Sequence, residues 1–188
     1  MSIVTLVIDM QVDFFQKDLL ARMRPQLVVK TNELVGAARR VGVPIIWVKQ
    51  EFSADLSDAS LEVRRERIEI VISGTPGAEL LPELDVRPSD AVIVKKRYSA
   101  FFGTDLEQRL KEARCSKLIV AGINTHACIR ATVVDAYQRD IEVLLARDCI
   151  ASHDEEHDRI TWRYMDGKLG SGLRNDALSQ LLGGERTA

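Results

Sequence analysis

Three side chains in this 188-residue sequence, Asp9, Lys95 and Cys128, have the types that acyl transfer needs: a proton acceptor, a cation and a thiol nucleophile. Each follows a short apolar run. Residues 3–8 precede Asp9, residues 91–94 precede Lys95, and residues 118–121 precede Cys128 by a turn that begins at Gly122. Around Cys128, Ala127, Ala131 and Val134 fall at helical spacing, as do Ile129, Val133 and Tyr137, so a helix begins close to the cysteine. Its free N–H groups and the positive end of its dipole would favour a thiolate and could hold an oxyanion. Plainer roles exist for each residue alone. Free cysteines are commonly buried and inert, an acid after a strand often caps a helix or turn, and a lysine there is commonly solvated. Convergence of all three on one end of a sheet is a much less common accident.

The elements that must position them alternate between strand and helix. Residues 3–8, 43–48, 91–94, 118–121 and 141–146 read as strands. Leu27, Leu34, Ala38 and Val41 predict a helix over 25–41, stopped by Gly42. Thr104 caps a helix carrying Leu106 and Leu110, with Glu107 completing a capping box, and Ser152 caps a last helix carrying Ile160, Tyr164 and Met165. Strand, helix, strand crossovers build parallel sheets. The expected fold is α/β, a three-layer α/β/α sandwich around an open, mostly parallel sheet of five to six strands, with ligands at the carboxyl ends of the strands. One domain spans 1–188, its tail frayed from 183. Gly74-Thr75-Pro76-Gly77 is a turn, and residues 80–84 form a short helix or an extended leg. Residues 51–72 are charged and weakly periodic; Arg64, Arg65, Glu66 and Arg67 suit a solvated helix face, and this is the stretch that could act as a lid.

Composition removes several function classes. Hydrophobic residues at 46% and charged residues at 29% are the balance of a soluble globular protein, with no apolar run long enough to span a bilayer. A net charge of -2 leaves no basic footprint for nucleic acid. The sequence runs straight into its first strand without the pattern of a secretory leader, so the expected address is the cytoplasm. Cys115, Cys128 and Cys149 are odd in number and lack metal or disulfide spacing, which leaves a reduced thiol available.

Four segments in order resemble the isochorismatase-like cysteine hydrolases: VIDMQVDFF at 7–15, GTPGAEL at 74–80, VKKRYSAFFGTDL at 94–106 and GINTHACIRATVVDAY at 122–137. The resemblance covers nearly the whole chain. It implies an α/β/α sandwich, a catalytic triad of Asp9, Lys95 and Cys128, a cis peptide between Ile123 and Asn124, and an oxyanion hole made by the backbone N–H groups of Asn124 and Cys128. It further implies hydrolysis of a small amide or ureido group through a thioester, with no cofactor, and a homo-oligomer, dimer or tetramer. Lys95 rather than Lys96 takes the catalytic place, because it stands two residues before Arg97 in the family's loop pattern.

Two departures narrow the choice. Nicotinamidase-type members carry an Asp-x-His and a further His after the second strand; here 47–55 read WVKQEFSAD, and His126, His153 and His157 all lie downstream. No metal site and no nicotinamidase are expected. Conversely, Asp154-Glu155-Glu156-His157 and Tyr164-Met165-Asp166-Gly167-Lys168 resemble the C-terminal part of true isochorismatases, which cleave a vinyl ether without the cysteine. Cys128 makes the amide hydrolase the first choice and the vinyl-ether hydrolase the second. A silent binding protein on the same fold is the non-enzymatic alternative. A packing or interface role is expected for His157. The expected substrate pocket is Gln11, Phe14, Gln50, Tyr98, Phe101 and Thr125, its aromatics suited to a small flat molecule.

Overall fold

Uninterrupted apolar strands need cover on both faces, and the chain provides it. A computed structural model describes residues 2–16 and 18–184. Six strands, β1 (Ser2–Ile8), β2 (Ile45–Gln50), β3 (Ala91–Lys95), β4 (Cys115–Ile123), β5 (Glu142–Ala151) and β6 (Ser171–Leu173), form one sheet. Their order is β3-β2-β1-β4-β5-β6 and every pairing is parallel. Helices α1 (Asp18–Arg40), α2 (Leu61–Glu66), α3 (Leu106–Glu112), α4 (Arg130–Tyr137), α5 (Glu155–Met165) and α6 (Asn175–Gly184) complete the layers.

Alternation along β1 divides its side chains between two cores. Ile3 and Val7 pack with Leu27 and Leu34 of α1 and Leu178 of α6. Val4, Leu6 and Ile8 pack with Leu106 of α3, Val133 of α4 and Met165 of α5. Strand order runs outward from β1 to β3 on one side and from β4 to β6 on the other, so the direction of winding reverses between β1 and β4. Helices cannot cover the carboxyl ends at that reversal, and a crevice opens there. Gly122 lets the two strands meet. At its φ of +115°, a Cβ would lie 2.0 Å from the carbonyl oxygen of Ile8, so no other residue fits.

Several boundaries differ from those the sequence suggests. α1 starts at Asp18 and carries Pro25 in its interior, because buried Leu20 extends the apolar stripe upstream. Asp154, not Ser152, caps α5 by accepting the N–H of His157. The short β6 and α6 follow where no periodicity had marked them. Gly183 and Gly184 continue α6, and residues 185–188 lie outside the described residues. Leu80 bridges to Gln11, and the chain then turns, Leu84 donating its N–H to the carbonyl of Leu81 at 3.1 Å. Residues 52–78 enclose a small core of their own, formed by Phe52, Leu56, Ala59, Val71 and Ala78, while α2 buries no residue.

Candidate active site

Asp9 leaves β1 with φ at +56°, a left-handed turn that Asp tolerates better than most residues, and its N–H is held by the carbonyl of Val48 at 2.8 Å. In β3, Val92 and Val94 face outward while Ile93 and Lys95 face the core that also holds Cys128. Parity therefore turns Lys95 inward, and Lys96 pairs with Asp58 at 2.8 Å in a half-exposed ion pair. Cys128 sits inside a π turn, Thr125–Ile129, that leads directly into α4. The carbonyl of Asn124 accepts the N–H groups of Ala127 and Ile129 and passes over that of Cys128 between them. The Ile123–Asn124 peptide is cis.

These three turns bring Asp9, Lys95 and Cys128 into contact at relative exposures of 1%, 0% and 5%. The Lys95 ammonium stands 2.8 Å from Asp9 Oδ2 as an ion pair and donates to Cys128 Sγ at 3.3 Å and to the carbonyl of Arg97 at 3.1 Å. Burial works against the cation, but Asp9 and Cys128 outweigh it and hold Lys95 above its ordinary pKa. Burial likewise raises Asp9, opposed by the charge of Lys95. Burial and the Asp9 carboxylate push the Cys128 thiol up, with Lys95 pulling the other way. Burial and the Asp9 carboxylate thus work against the thiolate that a helix N-terminus favours, and the thiol shares its surroundings with a carboxylate able to take its proton. Cys149 is pushed up to about 12 by burial, so it is an inert core thiol.

Two surface clefts are lined in part by residues close in sequence to the strand ends, with none of the three triad side chains among the described lining residues. One, of about 450 Å³, is lined by Gln50, Leu61, Glu62, Tyr98, Ser99 and Phe102 among others. Gln50 is the register partner of Lys95 in the neighbouring strand, which ties this cleft to the triad. The other, of about 410 Å³, includes Phe14, Asn124 and His153. Gln50, Tyr98 and Phe14 thus border open space. Gln11 does not. Its amide donates to the carbonyls of Gln50 at 2.8 Å and Ala78 at 2.7 Å and accepts the N–H of Gln50 at 2.7 Å, so it is a buried strut between strand ends. Phe101 is also removed from the pocket, being buried in the core beneath the Arg139 guanidinium at 4.6 Å. Thr125 is buried, with its hydroxyl beside Asp158.

The walls that sequence reasoning missed are Leu61, Glu62 and Phe102. Leu61 and Glu62 belong to the charged stretch without period, and Phe102 is the exposed neighbour of Phe101, the aromatic that turned inward. Among the described residues, no three His, Cys, Asp or Glu side chains are grouped so as to hold a metal ion. After β2, Glu51 pairs with Lys49 at 2.7 Å. No described helix is long and apolar enough to cross a membrane.

Comparison with known proteins adds lineage to this geometry. A family model described as the isochorismatase domain matches residues 4–173. A probable inactive nicotinamidase of Arabidopsis thaliana is 39% identical over 142 residues, 72% of each chain. The phenazine biosynthesis protein PhzD1 of Pseudomonas aeruginosa is 32% identical over 174 residues, covering 92% of this chain and 83% of that one. Among solved structures, nicotinamidase PncA from Bacillus subtilis superposes with a TM-score of 0.80 at 26% identity, covering 93% of this chain and 100% of that chain.

Proposed function

The chain belongs to the isochorismatase family of hydrolases, and from that membership we propose that it cleaves the C–N bond of a small amide or ureido compound through a thioester on Cys128. One observation carries this reading: a buried ammonium paired with a carboxylate at 2.8 Å and donating to a thiol at 3.3 Å. Asp9 takes the proton from Sγ as the sulfur attacks the carbonyl carbon. Lys95 remains protonated throughout and stabilises the charge that passes between Asp9 and the sulfur. The carbonyl oxygen gains its charge facing the backbone N–H groups of Asn124 and Cys128. Asp9 then delivers its proton to the departing nitrogen, the C–N bond breaks, and ammonia or an amine leaves. In the second half Asp9 takes a proton from water, hydroxide attacks the thioester, and the thiolate recovers the proton.

The cleft walls suit a small substrate placed between the Tyr98 and Phe102 rings and Leu61, its polar end toward Gln50 and the triad. The nicotinamidase neighbour supports C–N chemistry. The Arabidopsis relative is described as inactive; here the three reactive groups touch, which argues for activity. Likeness to a probable isochorismatase of Pseudomonas chlororaphis, 29% identical over 174 residues, favours a second reading, vinyl-ether hydrolysis, in which Asp9 would act without the thiol.

Ammonia release from benzamide, nicotinamide, succinamic acid and N-carbamoylglycine tests the proposal. Turnover of at least one is expected, lost by 100-fold or more in Cys128→Ala, an order-of-magnitude cost for removing a nucleophile. Ammonia release that survives Cys128→Ala would remove the thioester route, and a wild type inert toward all four compounds but active on a vinyl ether would transfer the assignment to the second reading.

A further inference from the structure

All three histidines of the chain meet behind the nucleophile turn. The His126 ring lies 5.2 Å from that of His153 in an edge-on contact and 5.6 Å from that of His157. Each ring has its Nδ1 committed to an oxygen. His126 shares a hydrogen bond of 2.7 Å with the Ser152 hydroxyl, His157 meets Asp154 Oδ2 at 2.7 Å, and His153 lies 3.1 Å from Asn124 Oδ1. The backbone N–H of His153 reaches the same Asn124 oxygen at 3.2 Å. An amide oxygen only accepts, so Nδ1 of His153 must carry the proton and donate.

The Asn124 carboxamide is thus gripped twice from the junction between β5 and α5, and the peptide unit on which it stands is the one assigned above to the developing oxyanion. The His126 ring stands edge-on against His153 and limits the ways its imidazole can swing. Cleft space opens on the other side of His153, beside Phe14 and Asn124, so the neighbouring ring is a wall that the open side lacks.

We propose that His153 is a positioning residue for hydrolysis, its Nδ1–H fixing the Asn124 side chain and through it the direction of the Asn124 backbone N–H; this rests on the hydrolase reading above. His153 touches neither thiol nor carboxylate of the triad. Its effect is carried by the turn, and it is felt where the oxyanion forms rather than where the substrate binds. Asparagine at this position can place its side-chain N–H near the point that Nδ1 of histidine occupies, whereas alanine cannot.

The test uses the amide from the panel above that the wild type hydrolyses fastest. His153→Ala should lower kcat about fivefold or more with KM within twofold, and His153→Asn should recover kcat to within twofold of wild type, both folded by circular dichroism. In an Asn124→Ala background, which keeps the backbone N–H, His153→Ala should change kcat by less than twofold, because the group it holds is gone. The proposal is overturned if His153→Ala matches wild type, if its effect falls on KM alone, if His153→Asn is as slow as His153→Ala, or if the loss persists in full without the Asn124 side chain. Each of those outcomes leaves wild-type turnover and its dependence on Cys128 intact. A wild type inert toward every amide in the panel would instead overturn the hydrolase reading, and the positioning role with it.

Discussion

At the residue scale, Lys95 is a fully buried ammonium, kept charged by the Asp9 carboxylate at 2.8 Å and by the Cys128 sulfur and the Arg97 carbonyl to which it donates. A buried cation left without partners costs several kcal/mol, so Lys95 and Asp9 require one another. Lys96, one residue on, is an ordinary surface cation paired with Asp58. Lys95→Met should lower kcat by about 100-fold or more, while Lys96→Met should stay within a few-fold, exposed ion pairs being worth about 1 kcal/mol or less. Steady-state kinetics on folded variants separates them, and the reverse order would place the wrong lysine in the site. Asp9 supplies a pH test. It must be ionised to accept the thiol proton, and burial raises its pKa above the ordinary 3.8, with Lys95 opposing. Activity should therefore fall as pH drops through a range above that of a solvated aspartate. An acid limb at or below 3.8 would show that Lys95 outweighs burial at Asp9. Identity was easier to read at this scale than partnership. That Asp9, Lys95 and Cys128 would meet at one end of the sheet was legible because each follows a strand run. Gln11 and Phe101 were misplaced because position near a strand end does not show which way a side chain turns or what saturates its polar atoms.

At the scale of elements, the site exists because β1 and β4 lie in register and at close range, Ile8 opposite Gly122. Gly122→Ala would drive a methyl group into backbone atoms of Ile8 that cannot move away, at a φ that alanine resists. Such a clash should destabilise the protein by upwards of about 3 kcal/mol, read from urea unfolding, and should cost activity even where the fold persists, since it parts Asp9 from Cys128. Wild-type stability in Gly122→Ala would show that the two strands are further apart. The strands were readable because buried parallel strands are continuous apolar runs. The first helix was read short, since Pro25 was taken as its start when it lies inside, and the cap of α5 was given to Ser152 when Asp154 makes the bond. Ser152 is engaged elsewhere, with His126, a tertiary contact that local pattern does not contain. The cleft walls Leu61 and Glu62 come from α2, which has no buried face and hence no period to find.

At the scale of the molecule, the reversal of winding between β1 and β4 gathers groups distant in sequence at one end of the sheet, and the chemistry depends on that gathering. The layered α/β architecture was legible as an alternation of strand and helix patterns. The convergence of His126, His153 and His157 was not, because nothing in their spacing predicts that a turn and a helix start will share one surface. Transfer of the acyl group to Cys128 is tested by acid quenching during turnover of a hydrolysed amide from the panel, followed by intact-mass measurement and peptide mapping. An adduct equal to the substrate less the departing ammonia or amine is expected, located on the peptide containing Cys128 and missing in Cys128→Ala. Steady ammonia release with no adduct at any time, undiminished in Cys128→Ala, would rule the thioester out.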